Sequence, residues 1–427
     1  MIKAMEEVVI TGVGAVSAGT VGADSLFWTL AEGRSLIRSW SKLSALGFGN
    51  PSCVFIDNET WQAVDASLGP LEPEWGPQTR LALCAATEAW QRAGLGEHRV
   101  ERGGVFLASN KHTFDEVQLR SLAPHMNWER ERLQLDDFLR SGVTRPEAYF
   151  HKQQDQAALA LAHRFGLQAS HGAHGEACAA GAMAIGAAMQ FIRAGLVDVA
   201  LAGAAETMCN FMPLVAFSVV GALADGEHLK GGAISRPFDE ARCGFVMGEG
   251  SAFLVLESAS HAARRGAQPL ARVRGFAGLL EACRITASAD DGSEYARCMV
   301  EALQDAGLAP DAIDHINAHG TSTPTNDACE ALAVKQVFGD RIAEIPITAN
   351  KSALGHSLAN SGAVEAVLAT LSLHRQMLLP TLNYERACSP CAGLDIVTST
   401  RSAPIKNVLS SSFGFGGANA CLVLEAA

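Results

Sequence analysis

The sequence predicts a layered α/β protein. Short β-type runs alternate with alanine-rich helical stretches along the 427 residues. The β runs are apolar throughout and are bounded by Gly and Ser, the pattern of strands buried on both faces. The stretches between them carry apolar residues at helical spacing. Helices packed on sheets satisfy all three observations.

In chain order, Val8 to Thr11 (VVIT) reads as a β-branched strand bounded by Gly12 and Gly14, and Leu81 to Ala93 reads as a helix. Gly104 to Leu107 (GVFL) is the next strand. Ile185, Met189, Ile192 and Leu196 recur every three or four residues and predict one apolar helix face. Strands follow at Val197 to Ala202 and Ser251 to Glu257, then a helical stretch from Val300 to Gly307. The last strands are His315 to Ala318, Ile345 to Ala349, Val408 to Ser411 and Ala420 to Leu424. Pro346 stands near the start of its run, where a missing N–H is tolerated. The polar, basic stretch Ser258 to Gly266 divides the chain into residues 1–257 and 258–427, with no flexible linker between them. Phe114 to His151 is charged and poorly periodic, and reads as a helical insertion over the surface or a partner.

Composition narrows the class. Hydrophobic residues make up 48% and charged residues 18%, which excludes extended disorder. The net charge of −12 argues against nucleic acid and anionic membranes as partners. No apolar run reaches the ~18 residues of a membrane span. Eleven cysteines, an odd number in a large chain, do not suggest a secreted disulfide framework. The N-terminal residues run into a strand without a signal-peptide pattern. A cytoplasmic enzyme is the expectation.

Four segments carry chemistry. Cys178 lies in HGEACAAG, just before the helix of the Ile185/Met189 stripe. A thiol at a helix N-terminus feels the positive end of the dipole, which favours its thiolate. Most free cysteines are inert and buried, so the residue alone decides little. His319 in NAHGTSTP and His356 in NKSALGH each follow a predicted strand, with Lys351 beside the second. A His at each of two strand ends suits a site shared by several loops, and a thiol, two histidines and a lysine at comparable positions form a specific constellation. In SSFGFGGAN, Phe413, Gly414 and Phe415 sit on a glycine-rich loop that can turn main-chain N–H groups toward a ligand. No GK[ST] follows, so a phosphate loop is not indicated. Gly12 to Ser17 (GVGAVS) lacks the third glycine of a dinucleotide fingerprint, and Cys388 to Cys391 is a single CxxC without a partner pair, read as a turn.

These segments, in order, resemble the β-ketoacyl-[acyl-carrier-protein] synthases, condensing enzymes of the thiolase fold. The landmarks run from VVITGVGAVS through ACAAGAMAIG, DVALAGAAE, RPFDEARCGFVMGEG, NAHGTSTPTND and NKSALGHSLANSG to SFGFGGANA. The resemblance implies two related βαβαβαββ halves in a five-layer αβαβα arrangement, with the active site between them. It implies that Cys178 accepts the acyl group, that His319 and His356 hold the malonyl thioester carbonyl, and that Lys351 supports the pair. Phe415 resembles a gate whose main-chain N–H, with that of Cys178, forms an oxyanion hole. Thr321, Thr323, Asp327 and Glu330 resemble supporting residues behind and beside the histidines. The implied reaction is decarboxylative condensation with malonyl carrier protein, in fatty-acid-like or type II polyketide biosynthesis, with neither metal nor organic cofactor. The implied partners are an acyl carrier protein and a second subunit, identical or a sister chain. A chain-length-factor-like scaffold and a non-condensing acyltransferase or decarboxylase are the alternatives.

The sequence departs from the family pattern in several places. Glu176 stands where Thr or Ser is common, and would raise the thiol pKa if it pointed inward; an outward carboxylate is expected. Ala108 to His112 replaces a glycine-rich loop, Cys243 an Asp and Ala418 a Thr, and Gln153 to Gln156 replaces a Pro-containing segment. Basic residues for an acidic carrier protein are sparse: Arg80, Lys230 and Arg242 are the candidates.

Overall fold

The computed structural model describes residues 5–72, 75–96, 100–110, 116–142, 153–226, 229, 231–284 and 288–427. Two units with one strand order account for the main sheet. In the first, Ser170–His174, Gly103–Ala108 and Val199–Glu206 run parallel, and Gly250–Ser258 and then Val8–Ser17 continue antiparallel. In the second, Pro346–Thr348, His315–Asn317 and Asn407–Phe413 run parallel, and Ala418–Ala426 and then Ala271–Leu280 continue antiparallel. The short strand Asp395–Ile396 extends the second unit's edge. Val8 to Ile10 pair with Ala271 to Val273, joining the two units. The stretch around Ser258 to Gly266 carries the short helix Ala259–Arg264 between them.

Three apolar clusters mark the layers. The central one holds helices Ala180–Arg193 and Ser361–Arg375 with the inner faces of both sets of strands. Leu81, Ala85 and Trp90 of helix Pro77–Arg92 and Leu161 of helix Gln156–Phe165 cover the outer face of the first unit. Helices Ser293–Ala306 and Pro324–Phe338 cover that of the second. Helix, sheet, helices, sheet, helix is the five-layer αβαβα order of the thiolase fold. The two central helices touch where side chains vanish. A Cβ on Gly181 would lie 2.7 Å from Ala359 O, and one on Gly362 2.6 Å from Ala182 N.

Several elements differ from the sequence reading. The first strand runs on to Ser17, because Gly12 and Gly14 lie beneath helix Pro77–Arg92 rather than bounding the strand. A Cβ at either position would come within 2.0 Å of a helix carbonyl. Leu196 lies beyond the helix that ends at Arg193 and is exposed, whereas Ile185, Met189 and Ile192 are buried. Strand Ser170–His174 was not expected, since its edge position lets it be polar. In the 114–151 segment, residues 114, 115 and 143–151 lie outside the described residues. Between them are helices Glu116–Leu122 and Leu135–Arg140 and a small hairpin, with Trp128, Leu135 and Leu139 exposed. Cys388 to Cys391 is a turn as expected, but its cysteines are joined by a disulfide, Cα to Cα 5.0 Å. No helix among the described residues is long and apolar enough to cross a membrane.

Candidate active site

The repeated topology brings two equivalent points together. Cys178 follows strand Ser170–His174 and precedes helix Ala180–Arg193. His356 follows strand Pro346–Thr348 and precedes helix Ser361–Arg375. Left-handed backbone tightens both connections, at Ala177 (φ 48°) and Leu358 (φ 46°). His319 lies two residues beyond strand His315–Asn317. The Cys178 sulfur and one imidazole nitrogen each of His319 and His356 lie within 4.8 Å of one another.

Cys178 Sγ is 3.2 Å from His356 Nε2. His356 Nδ1 is 2.8 Å from Ser361 Oγ. The two imidazoles stand edge to face with centroids 5.3 Å apart. Lys351 is buried and spends its three N–H donors on His319 Nδ1 (3.2 Å), His319 O (2.7 Å) and the Glu365 carboxylate. Because Lys351 donates to Nδ1, His319 carries its own proton on Nε2. Glu330 accepts the main-chain N–H groups of His319 (2.7 Å) and Gly320 (2.8 Å), and Asp327 accepts those of Phe238 and Ser322. Both carboxylates therefore stand behind the histidine loop as supports. Thr323 caps helix Pro324–Phe338, and its hydroxyl meets that of Thr321 at 2.9 Å.

Electrostatics keep both histidines neutral. Burial, the Lys351 charge and the second ring hold His319 well below the usual imidazole range. Burial and Lys351 do the same for His356. Burial also pushes the Cys178 thiol up to about 11, against main-chain donation from Phe415 and the charge of Lys351. The helix terminus therefore does not produce the resting thiolate expected from the sequence: desolvation outweighs the dipole. Burial raises Glu330 to about 8 and Glu365 to about 7, the latter despite its contact with Lys351.

Two cavities meet at Cys178. One, of about 350 Å³, is bordered by both histidines, Thr321, Thr323, Tyr295 and Asn326. The other, of about 320 Å³, is apolar and bordered by Met208, Met212, Phe217 and Leu358. Phe415 borders both, stacked on Phe217 with centroids 6.1 Å apart. Phe413 stacks on Tyr295, and a Cβ on Gly414 would lie 3.2 Å from the Cys178 amide nitrogen, a tight contact.

The remaining sequence candidates fall outside this cluster. The Glu176 carboxylate lies 3.3 Å from His174 Nδ1; burial would raise its pKa, but that contact and main-chain donors hold it low. Arg80 is tied to Asp65 and lies over the Trp61 ring, and Arg242 is half-buried, donating to the carbonyls of Asp239, Thr323 and Pro324. Both guanidinium groups thus already have partners within the chain. Lys230 lies outside the described residues. Two departures from the family pattern meet: Ser109 Oγ donates to Gln154 O at 3.0 Å. Asn110, at the border of the apolar cavity, donates to the buried Glu206. Ser361, Glu365, Phe217 and Tyr295 were not singled out from the sequence. The first two could have been, since an i, i+4 pair at the start of the helix after His356 must share one face.

The N-terminal domain of beta-ketoacyl synthases matches residues 5–262, and their C-terminal domain matches residues 270–385. The chain belongs to the beta-ketoacyl synthase family. It is 31% identical, over 98% of both chains, to a 3-oxoacyl-[acyl-carrier-protein] synthase 2 of Coxiella burnetii. Among solved structures it resembles a chain of a type II polyketide synthase acyl-carrier protein in complex with its ketosynthase bound to the hexaketide. The TM-score is 0.87 at 31% identity, covering 99% of this chain and 100% of that one. It also resembles the ishigamide ketosynthase/chain length factor, with a TM-score of 0.85 at 30% identity over 99% of this chain and 100% of that one. This beta-ketoacyl synthase is thus a condensing enzyme of the acyltransferase class with its thiol and both histidines in place.

Proposed function

We propose that the protein elongates an acyl chain held on Cys178 with a malonyl unit delivered by an acyl carrier protein, giving 3-oxoacyl carrier protein and CO2. The observation that carries this reading is the convergence of one thiol and two neutral imidazoles where a polar and an apolar cavity meet. The acyl chain enters the apolar cavity. Sγ attacks its thioester carbonyl, and the thiol proton ends on the departing carrier sulfur. The malonyl thioester then occupies the polar cavity with its carbonyl oxygen toward the histidines. Loss of CO2 leaves its bonding electron pair on the substrate as an enolate. Neutral Nε2–H groups stabilise the enolate oxygen without protonating the nucleophilic carbon. The carbon attacks the acyl carbonyl, the main-chain N–H groups of Cys178 and Phe415 hold the tetrahedral oxyanion, and collapse expels the Cys178 thiolate. No step calls for a metal or an organic cofactor.

A second subunit, identical or a sister chain, belongs to this reading, in keeping with the ketosynthase/chain length factor relative. The retained thiol supports a condensing role over a scaffold role. Incubation with acyl- and malonyl-carrier protein, followed by mass spectrometry, tests the proposal. An acyl adduct on Cys178 and a carrier-bound chain two carbons longer are expected, and Cys178→Ala loses both. Extension by the Cys178→Ala variant at the normal rate sinks the reading. Absence of any adduct points to a scaffold, and an adduct without extension to an acyltransferase.

A further inference from the structure

We propose that the Ser361 hydroxyl is a positioning group that fixes the His356 tautomer, so that His356 presents Nε2–H to the Cys178 sulfur and to the bound thioester. The inference deepens the condensing reading above and rests on it.

Ser361 is the first residue of helix Ser361–Arg375 and is buried. Its Oγ lies 2.8 Å from His356 Nδ1. Among the described residues that hydroxyl has no other hydrogen-bond partner, and a buried hydroxyl proton without an acceptor carries the full cost of desolvation. The hydroxyl therefore donates, Nδ1 accepts, and the ring proton resides on Nε2, 3.2 Å from Cys178 Sγ. His319 reaches the same state by a different device, because Lys351 donates to its Nδ1. A cation beside one ring and a neutral hydroxyl beside the other give two matched N–H donors without charging either imidazole. They also spare the second ring the desolvation of another buried cation.

The fold explains why this residue can act at such short range. The turn Ser357–Asn360 folds the chain back after His356, so that the helix begins against the imidazole. Glu365, four residues on, holds Lys351. One face of the first helical turn thus supports both histidines, one directly and one through the lysine.

The test is nitrogen NMR of the histidine-labelled, full-length protein, with His356 assigned by comparison with His356→Ala. Wild type is expected to show an unprotonated Nδ1 and a protonated Nε2. Ser361→Ala should move proton population to Nδ1, since the Cys178 thiol can then donate to Nε2. Ser361→Thr should restore the wild-type pattern. Decarboxylation of malonyl carrier protein should fall about tenfold in kcat for Ser361→Ala with KM unchanged, the worth of one biased hydrogen bond. Circular dichroism shows whether each variant is folded. A wild-type nitrogen pattern in folded Ser361→Ala overturns the proposal, as does a protonated Nδ1 in the wild type. If the tautomer behaves as stated but the wild type fails to extend an acyl chain, the functional reading falls and the assignment of Ser361 stands.

Discussion

Replacing Lys351 by methionine should separate stability from activity. The lysine's three donors serve His319 Nδ1, His319 O and Glu365. Methionine keeps most of the aliphatic volume but leaves Glu365 buried beside no cation, and the second carboxylate oxygen already lacks a partner among the described residues. Breaking one side of a buried ion pair costs about 3–5 kcal/mol. Here Glu365 can take up a proton, which places the loss at the lower end, about 3 kcal/mol. The catalytic effect has a different origin. Without Lys351 the His319 proton is no longer fixed on Nε2, and one of two enolate donors is weakened. Loss of such a donor costs about 10²–10³ in rate. The assay pairs thermal unfolding with CO2 release from malonyl carrier protein, for Lys351→Met and for the double variant Lys351→Met/Glu365→Gln. The double variant should regain most of the stability and none of the rate. Recovery of rate together with stability would refute the argument, since Lys351 would then matter only as a structural ion-pair partner.

Two further outcomes follow from the packing and the buried carboxyls. Gly362→Ala drives a methyl group to 2.6 Å from Ala182 N and should destabilise the protein by about 1–3 kcal/mol, read by chemical denaturation; an unchanged midpoint contradicts the close helix contact. Burial raises the Glu330 carboxyl from its ordinary 4.5 to about 8 in the folded state. Its contribution to stability is therefore complete below about 4.5 and is lost as pH rises through 8. Both histidines are already neutral above pH 7, so the melting temperature should fall between pH 7 and 8.5 in the wild type and less steeply in Glu330→Gln, and equal slopes would refute the assignment.

Much of this site was legible because its chemistry lies in short, ordered segments. His319, Lys351 and His356 each follow a strand whose apolar run marks it in sequence, and Cys178 precedes a helix marked by its Ile185/Met189 stripe. Glu330 and Asp327 were readable as supports only through the family resemblance, and helix Pro324–Phe338 brings both back under the histidine loop. What the sequence withheld depends on contacts between distant segments. Gly12 and Gly14 look like strand boundaries until the helix that crosses them is known. The thiolate expected from the helix terminus gives way to desolvation, which depends on how deeply two sheets bury the sulfur. Arg80 and Arg242 read as docking cations because their internal partners, Asp65 and the Thr323–Pro324 carbonyls, come from other parts of the chain. The internal partners of both arginines sharpen the question of how a chain of net charge −12 receives an acidic carrier protein.

The central claim is that two neutral histidines, and not the thiol, drive decarboxylation. CO2 release from malonyl carrier protein by enzyme already acylated on Cys178 tests it most directly, comparing wild type with His319→Ala and His356→Ala. Both variants should retain the acyl group on Cys178 and lose CO2 release by about 10²-fold or more. Wild-type CO2 release from either acylated variant would contradict the account.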